Sequence, residues 1–172
     1  MLRSVVRIAC LGWLAACIVP VTSASASPEI VAISGYAPGT IIIRQAQRSL
    51  YLVLRGGEAI RYPVAVGKAG KAWRGTAQVS GKYVNPAWSP PAEVKRDKPW
   101  LPDVIAGGAP NNPMGIRALT LSGGEYAIHG TTQAMRASIG TAASYGCIRM
   151  YNEDIADLFD RVAVGTPVAV LP

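Results

Sequence analysis

The chain carries a single histidine, His129, and three cysteines, of which only Cys147 lies beyond the first twenty residues. His129 sits in Ile128-His129-Gly130-Thr131, and Cys147 in Ser144-Tyr145-Gly146-Cys147-Ile148-Arg149-Met150. A thiol attacks a carbonyl efficiently only as thiolate, and a free cysteine, with a pKa near ~8.5, is mostly protonated at neutral pH. An imidazole within reach can take that proton and later return one to a departing amine. Gly146 lets the backbone approach a substrate carbonyl. The amide N–H groups of Gly146 and Cys147 are then candidates to face the oxygen that becomes negative, where each lost donor costs ~3–4 kcal/mol in a well-studied protease. The pattern points to cysteine nucleophile chemistry.

The first residues decide how the cysteines are read. Met1 to Arg7 is a short basic start, Ile8 to Val21 is almost wholly apolar, and Ala24-Ser25-Ala26 has the small-x-small form of a cleavage site. Residues 1–26 thus read as a signal peptide whose removal discards Cys10 and Cys17. The apolar run falls short of the ~20 residues of a membrane span. A rival reading takes Leu14-Ala15-Ala16-Cys17 as a lipoprotein site, with Cys17 lipidated. Either way the product is exported, to the periplasm or cell wall. A single cysteine is ordinarily a small buried apolar residue, yet in an oxidising compartment a free thiol is a liability.

The formal charge is +7, and without Arg3 and Arg7 fifteen basic residues face ten acidic ones, leaving +5. The bases are scattered rather than run together, so nucleic acid is not an expected partner. One histidine, one cysteine and dispersed carboxylates supply no metal-ligand cluster, and no cofactor is expected.

The elements that must position Cys147 and His129 read as mostly β. Residues 27–39 form an N-terminal segment, and residues 40–172 one catalytic domain. Strand-like runs lie at 40–44, 49–55 and 59–66, the last two joined by Gly56-Gly57. Residues 67–81 are rich in glycine and small side chains, and 83–113 is a proline-spaced stretch read as one long loop. Further strands are expected at 116–121 and 126–129, so that His129 ends a strand. One principal helix is expected near 152–163, with Asn152 as its cap, Glu153 and Asp154 in its first turn, and an apolar stripe of Ile155, Leu158, Phe159 and Val162. Residues 167–171 read as a closing strand.

The words around the two residues are specific. His129-Gly130-Thr131, a spacer with Ser138-Ile139-Gly140, and Ser144-x-Gly146-Cys147-Ile148-Arg149-Met150 strongly resemble the YkuD-type L,D-transpeptidase catalytic domain. Residues 63–68, Pro86-Ala87-Trp88, Pro90-Pro91 and Asn112-Pro113-Met114-Gly115 extend the resemblance in order across roughly 40–171. It implies a β-rich fold and a two-step acyl transfer on peptidoglycan stem peptides. Cys147 would be the nucleophile, His129 the base, and the carbonyl of Gly130 the group that orients the ring. The acyl group would pass to an amine on a second stem, giving a 3–3 cross-link, or to a wall-anchored protein, and carbapenems would acylate Cys147. A monomer is expected. Ser144, Tyr145 and Arg149 are candidate substrate-binding residues, Arg149 for an anionic part of the donor.

Two positions depart from the family pattern. Tyr145 stands where a histidine is frequent, so His129 is the only imidazole for the role. Ala72-Trp73-Arg74-Gly75 replaces a Thr-Pro-x-Gly turn. Rival readings are an L,D-carboxypeptidase or endopeptidase with water as acceptor, an inactive wall-binding module, and a sortase-like transpeptidase. Trp73, Trp88 and Trp100 either line a peptide groove or pack beneath the long loop.

Overall fold

A computed structural model describes residues 28–172. The export segment at 1–26 lies outside the described residues, as do Cys10 and Cys17. Strands β1 (Glu29–Ala32), β2 (Ile41–Arg44), β3 (Ser49–Val53), β4 (Glu58–Pro63), β5 (Val66–Gly67), β6 (Gly75–Val84), β7 (Arg117–Leu121), β8 (Ala127–His129), β9 (Ala142–Ser144), β10 (Ile148–Arg149) and β11 (Pro167–Leu171) accompany two α-helices, α1 (Ala92–Asp97) and α2 (Asn152–Arg161). Nine strands form one sheet in the order β1-β4-β3-β2-β11-β6-β7-β8-β10, while β5 and β9 pair separately. The fold is mostly β with α2 as its principal helix, as expected from the sequence.

The unbroken Ile41-Ile42-Ile43 run is buried on both faces, which is why β2 does not alternate polar with apolar. Ile41 and Ile43 join Leu50, Leu52, Tyr62, Val168 and Val170 in the main core, where Ile155 and Leu158 of α2 also pack. Ile42 faces the other way, with Ile33, Tyr51, Val53 and Ala59. The closing strand β11 lies parallel to β2 and antiparallel to β6, so it ties the first half of the domain to the second.

The structure differs from the sequence reading in several places. Residues 75–84 form the longest strand, which links β11 through its first half to β7 through its second, with a register shift between Val79 and Gly81. Its inward side is only Ala77, Val79 and Gly81, so glycine and alanine masked a period-two pattern. Residues 29–32 of the N-terminal segment add an antiparallel edge strand to β4. The long proline-spaced loop holds α1 and an isolated bridge between Trp88 and Ile105. Its organiser is Asn112, 2% exposed, whose Nδ2 donates to the carbonyls of Pro86 and Ala106, each at 2.9 Å, and Ile105 at 3.3 Å. Its Oδ1 accepts from the Met114 N–H at 2.9 Å.

Asn152 does not cap α2. The cap position is Tyr151, and the Asn152 side chain reaches sideways to the segment after β8. Its Oδ1 accepts from the Thr131 N–H at 2.9 Å and its Nδ2 donates to the Thr131 carbonyl at 3.0 Å. A carboxamide offers donor and acceptor side by side, and here the N–H and carbonyl of Thr131, which belong to successive peptide units, take both. α2 therefore holds the chain just past His129, while its apolar stripe packs on β7 and β8.

Candidate active site

β10 runs parallel to β8 with Arg149 opposite His129 and Ile148 opposite Ile128. Side chains two apart share a face. Ile128 and Ile148 point into the core, at 0% and 1% exposure, so Cys147, Arg149, Ala127 and His129 take the opposite face. There a cavity of about 750 Å³ is lined by Cys147, His129, Arg149, Tyr126, Tyr145 and Trp88, among others. The parallel pairing, and not proximity in sequence, sets Cys147 and His129 on the lining of one cavity.

His129 is 4% exposed, and its Nδ1 lies 2.8 Å from the Gly130 carbonyl. Nδ1–H therefore donates to that carbonyl, and Nε2 keeps the ring's lone pair. Burial and then the Arg149 charge lower the imidazole pKa to about 4, and the carbonyls of Gly130 and Pro113 offset only part of this. Burial likewise raises the Cys147 thiol, against the opposing pull of the Ala127 backbone and Arg149. The thiol, half-buried, points its weak hydrogen bond at the Glu125 carbonyl, 3.9 Å away. Burial thus pushes both groups towards their neutral forms.

The turn before the thiol is locked from within. Ser144 Oγ donates to the Cys147 carbonyl at 2.6 Å and accepts from the Gly146 N–H at 3.1 Å. The Gly146 N–H thus has a partner inside the turn, and Ser144, 2% exposed, spends its hydroxyl there. Gly146 adopts φ 116°, a region that L side chains rarely enter. A Cβ there would lie well inside van der Waals contact of the Tyr126 ring.

Arg149 is 8% exposed, donates from Nη1 to Ser138 Oγ at 2.7 Å, and has no hydrogen-bond partner for Nε among the described residues. Burial lowers its pKa. Among the described residues no acidic side chain pairs with it, and the acidic first turn of α2 pairs instead with Arg136 through Glu153 at 2.6 Å. Tyr145 reaches the loop opposite: its hydroxyl donates to Asp97 Oδ2 at 2.9 Å, and Lys68 Nζ stands 3.8 Å from its ring centroid. A second tie joins Lys71 to Glu93 of α1.

Residues 38–170 match the YkuD family, described as the L,D-transpeptidase catalytic domain. The chain belongs to this family. It is 40% identical over 138 residues to the probable L,D-transpeptidase YbiS of Escherichia coli K12, an alignment covering 74% of this chain and 43% of the relative. The chain thus spans less than half the length of that protein. A crystal structure of a Brucella melitensis protein, described as a probable carnitine operon oxidoreductase, is 42% identical, with 90% of this chain and 96% of that one covered and a TM-score of 0.55. An L,D-transpeptidase from Mycobacterium smegmatis shares the fold at 19% identity and a TM-score of 0.61, over 77% of this chain and 58% of that one.

For an L,D-transpeptidase domain, three supports had no strong signal in sequence. Asn152 passes for a helix cap, Asn112 for a loop residue, and Tyr126 for one more strand aromatic. Trp73 stacks on Tyr126 with centroids 4.8 Å apart and planes 7° from parallel. Trp88 lines the cavity, and Trp100 is 75% exposed. Among the described residues no helix is long and apolar enough to cross a membrane, and no three His, Cys, Asp or Glu side chains cluster as metal ligands.

Proposed function

We propose that this chain is an exported peptidoglycan L,D-transpeptidase with Cys147 as nucleophile and His129 as general base. The observation that carries the reading is that His129, at the end of β8, and Cys147, immediately before the parallel strand β10, line one cavity, with Nδ1–H of the imidazole held by the Gly130 carbonyl. As a donor stem peptide enters, the Cys147 proton passes to Nε2 and the sulfur adds to the carbonyl of the third stem residue. The bond to the terminal D-alanine then breaks, and the proton on Nε2 leaves with its amine. The resulting thioester is attacked by an amine of a second stem or of a wall-anchored protein. That amine gives a proton back through His129, and the S–C bond breaks to restore the thiol.

The developing oxyanion needs a donor aimed at it. With the Gly146 N–H turned inward to Ser144, the Cys147 N–H fills that role, and it appears in no hydrogen bond among the described residues. Arg149, buried with one partner, holds a carboxylate of the donor stem near the sulfur. Tyr145 forms a wall of the groove through its tie to Asp97, and Ser144 shapes the turn.

Incubation with purified tetrapeptide muropeptides, read by mass spectrometry, tests the proposal. Cross-linked dimers and released D-alanine are expected. Tripeptides without dimers indicate water as acceptor and an L,D-carboxypeptidase or endopeptidase. Unchanged tetrapeptide overturns the reading in favour of a wall-binding module.

A further inference from the structure

We infer that Trp73 is a positioning residue that fixes the peptide plane of the oxyanion donor, a role that rests on the acyl-transfer reading above. Its indole Nε1–H donates to the Gly146 carbonyl at 3.1 Å. That carbonyl and the Cys147 N–H belong to one peptide unit, and no described peptide bond is cis. In a trans unit the two groups point in opposite directions. Anchoring the carbonyl on the indole side therefore turns the Cys147 N–H away from Trp73.

The remainder of the turn makes the anchor matter. The Gly146 N–H and the Cys147 carbonyl are both tied to Ser144 Oγ, so the peptide units on either side of the 146–147 unit are held from the Ser144 side. Nothing in that clasp touches the 146–147 unit itself. Gly146 has the torsional freedom to let this unit swing, and the indole is its hydrogen-bonded restraint. A bonded carbonyl also polarises its amide, so the opposite N–H becomes a stronger donor.

Trp73 is itself held from two sides. Its ring lies flat on Tyr126, which closes off the space a side chain at 146 would need. Its own carbonyl accepts from Nε2 of Gln45, a residue 8% exposed, at 2.7 Å. Gln45 follows β2, so the anchor is referred to the central sheet rather than to the loop that carries it. Trp73 sits where the family pattern has a proline, which has no donor to offer.

The test separates acylation, which needs the oxyanion donor, from alkylation, which does not. Two variants are compared with the wild type: Trp73→Phe, which keeps a stacking ring, and site-specific replacement of Trp73 by 3-benzothienylalanine, which keeps the bicyclic shape and swaps N–H for sulfur. Carbapenem acylation of Cys147 is timed by intact-protein mass spectrometry, and iodoacetamide alkylation of the same thiol is measured in parallel. In both variants acylation is expected to slow by about tenfold or more, since outright loss of such a donor costs ~10²–10³, with alkylation within twofold of wild type. Acylation within twofold of wild type in the benzothienyl variant would overturn the role. So would a parallel fall of both reactions in that variant, which would mean general damage to the thiol's surroundings. A wild-type protein that takes no acyl group would remove the acyl-transfer reading and this role with it.

Discussion

The pH dependence of acylation tests the geometry of the pair directly. His129 must be neutral to accept the Cys147 proton, so acylation falls as the imidazole becomes charged. An ordinary histidine with a pKa near 6.5 would be only ~3% neutral at pH 5. Burial and Arg149 lower His129 to about 4, at which ~90% remains neutral at pH 5, a difference of ~30-fold. Carbapenem acylation followed by mass spectrometry from pH 3.5 to 9 should therefore stay near its plateau down to about pH 5 and halve near pH 4. Iodoacetamide, which reports the free thiolate, should instead gain about tenfold per pH unit across the neutral range, because burial holds the thiol above its ordinary pKa. An acid limb centred between pH 6 and 7 would refute the buried neutral imidazole. Acylation that tracks alkylation up to pH 9 would refute His129 as the base.

Three further outcomes are expected. Cys147→Ala should abolish the carbapenem adduct and turnover while leaving the melting temperature within a few degrees, since the thiol is half-buried and makes one weak hydrogen bond. Asn152→Ala strips the Thr131 N–H and carbonyl of their partners, at ~1–3 kcal/mol for each buried group left unpaired; chemical denaturation should show the loss, and acylation should slow because the Gly130 carbonyl is no longer held. Asp154, 2% exposed with Oδ2 unpartnered, has its pKa raised to about 7 by burial and then by Glu153 and Asp157. Folding therefore favours its protonated form: the charge penalty is absent below about pH 4 and fully present above pH 7. Asp154→Asn should stabilise the protein by about 2–4 kcal/mol at pH 8, or several degrees of melting temperature, and by little at pH 4.

Much of the candidate site was legible because its side chains are rare residue types in short, specific words. Cys147 and His129 stand out by scarcity, and the Gly130 carbonyl comes with the histidine as its chain neighbour. The strands and α2 were legible where β-branched runs or a helical stripe dominate, as in Ile41-Ile42-Ile43 and Ile155 to Val162. β6 escaped because its inward positions are alanine, valine and glycine, and a register shift interrupts the alternation. The supports of the site escaped for another reason. Asn152 and Asn112 act on backbone groups 21 and 26 residues away, and Trp73 on one 73 residues away. Local propensity cannot rank a cap above a long-range clasp, since the same carboxamide suits both. The Gly146 N–H was misjudged on the same grounds: a glycine beside a nucleophile suggests an open donor, but Ser144, two residues earlier, folds back and takes it.

The resting state of the pair bears on where such an enzyme could work. Oxidation and stray alkylation of cysteine proceed through the thiolate. In a thiolate–imidazolium pair the sulfur would be permanently exposed to that chemistry, and in an oxidising compartment this is a standing hazard. Here burial pushes both members the same way, towards neutrality: it raises the thiol and lowers the imidazole. In the proposed mechanism the proton would then move only when a carbonyl arrives to share the sulfur's charge and an amide N–H stands ready for the oxygen. Arg149 opposes complete quenching, since its buried charge favours the thiolate while disfavouring the imidazolium. In the proposed mechanism this buried cation would keep the thiol protected and still within reach of ionisation. Neutralising it as Arg149→Met should lower the rate of alkylation at fixed pH and move the acid limb of any residual acylation upwards from pH 4. A variant in which neither moved would show that the guanidinium acts on substrate alone.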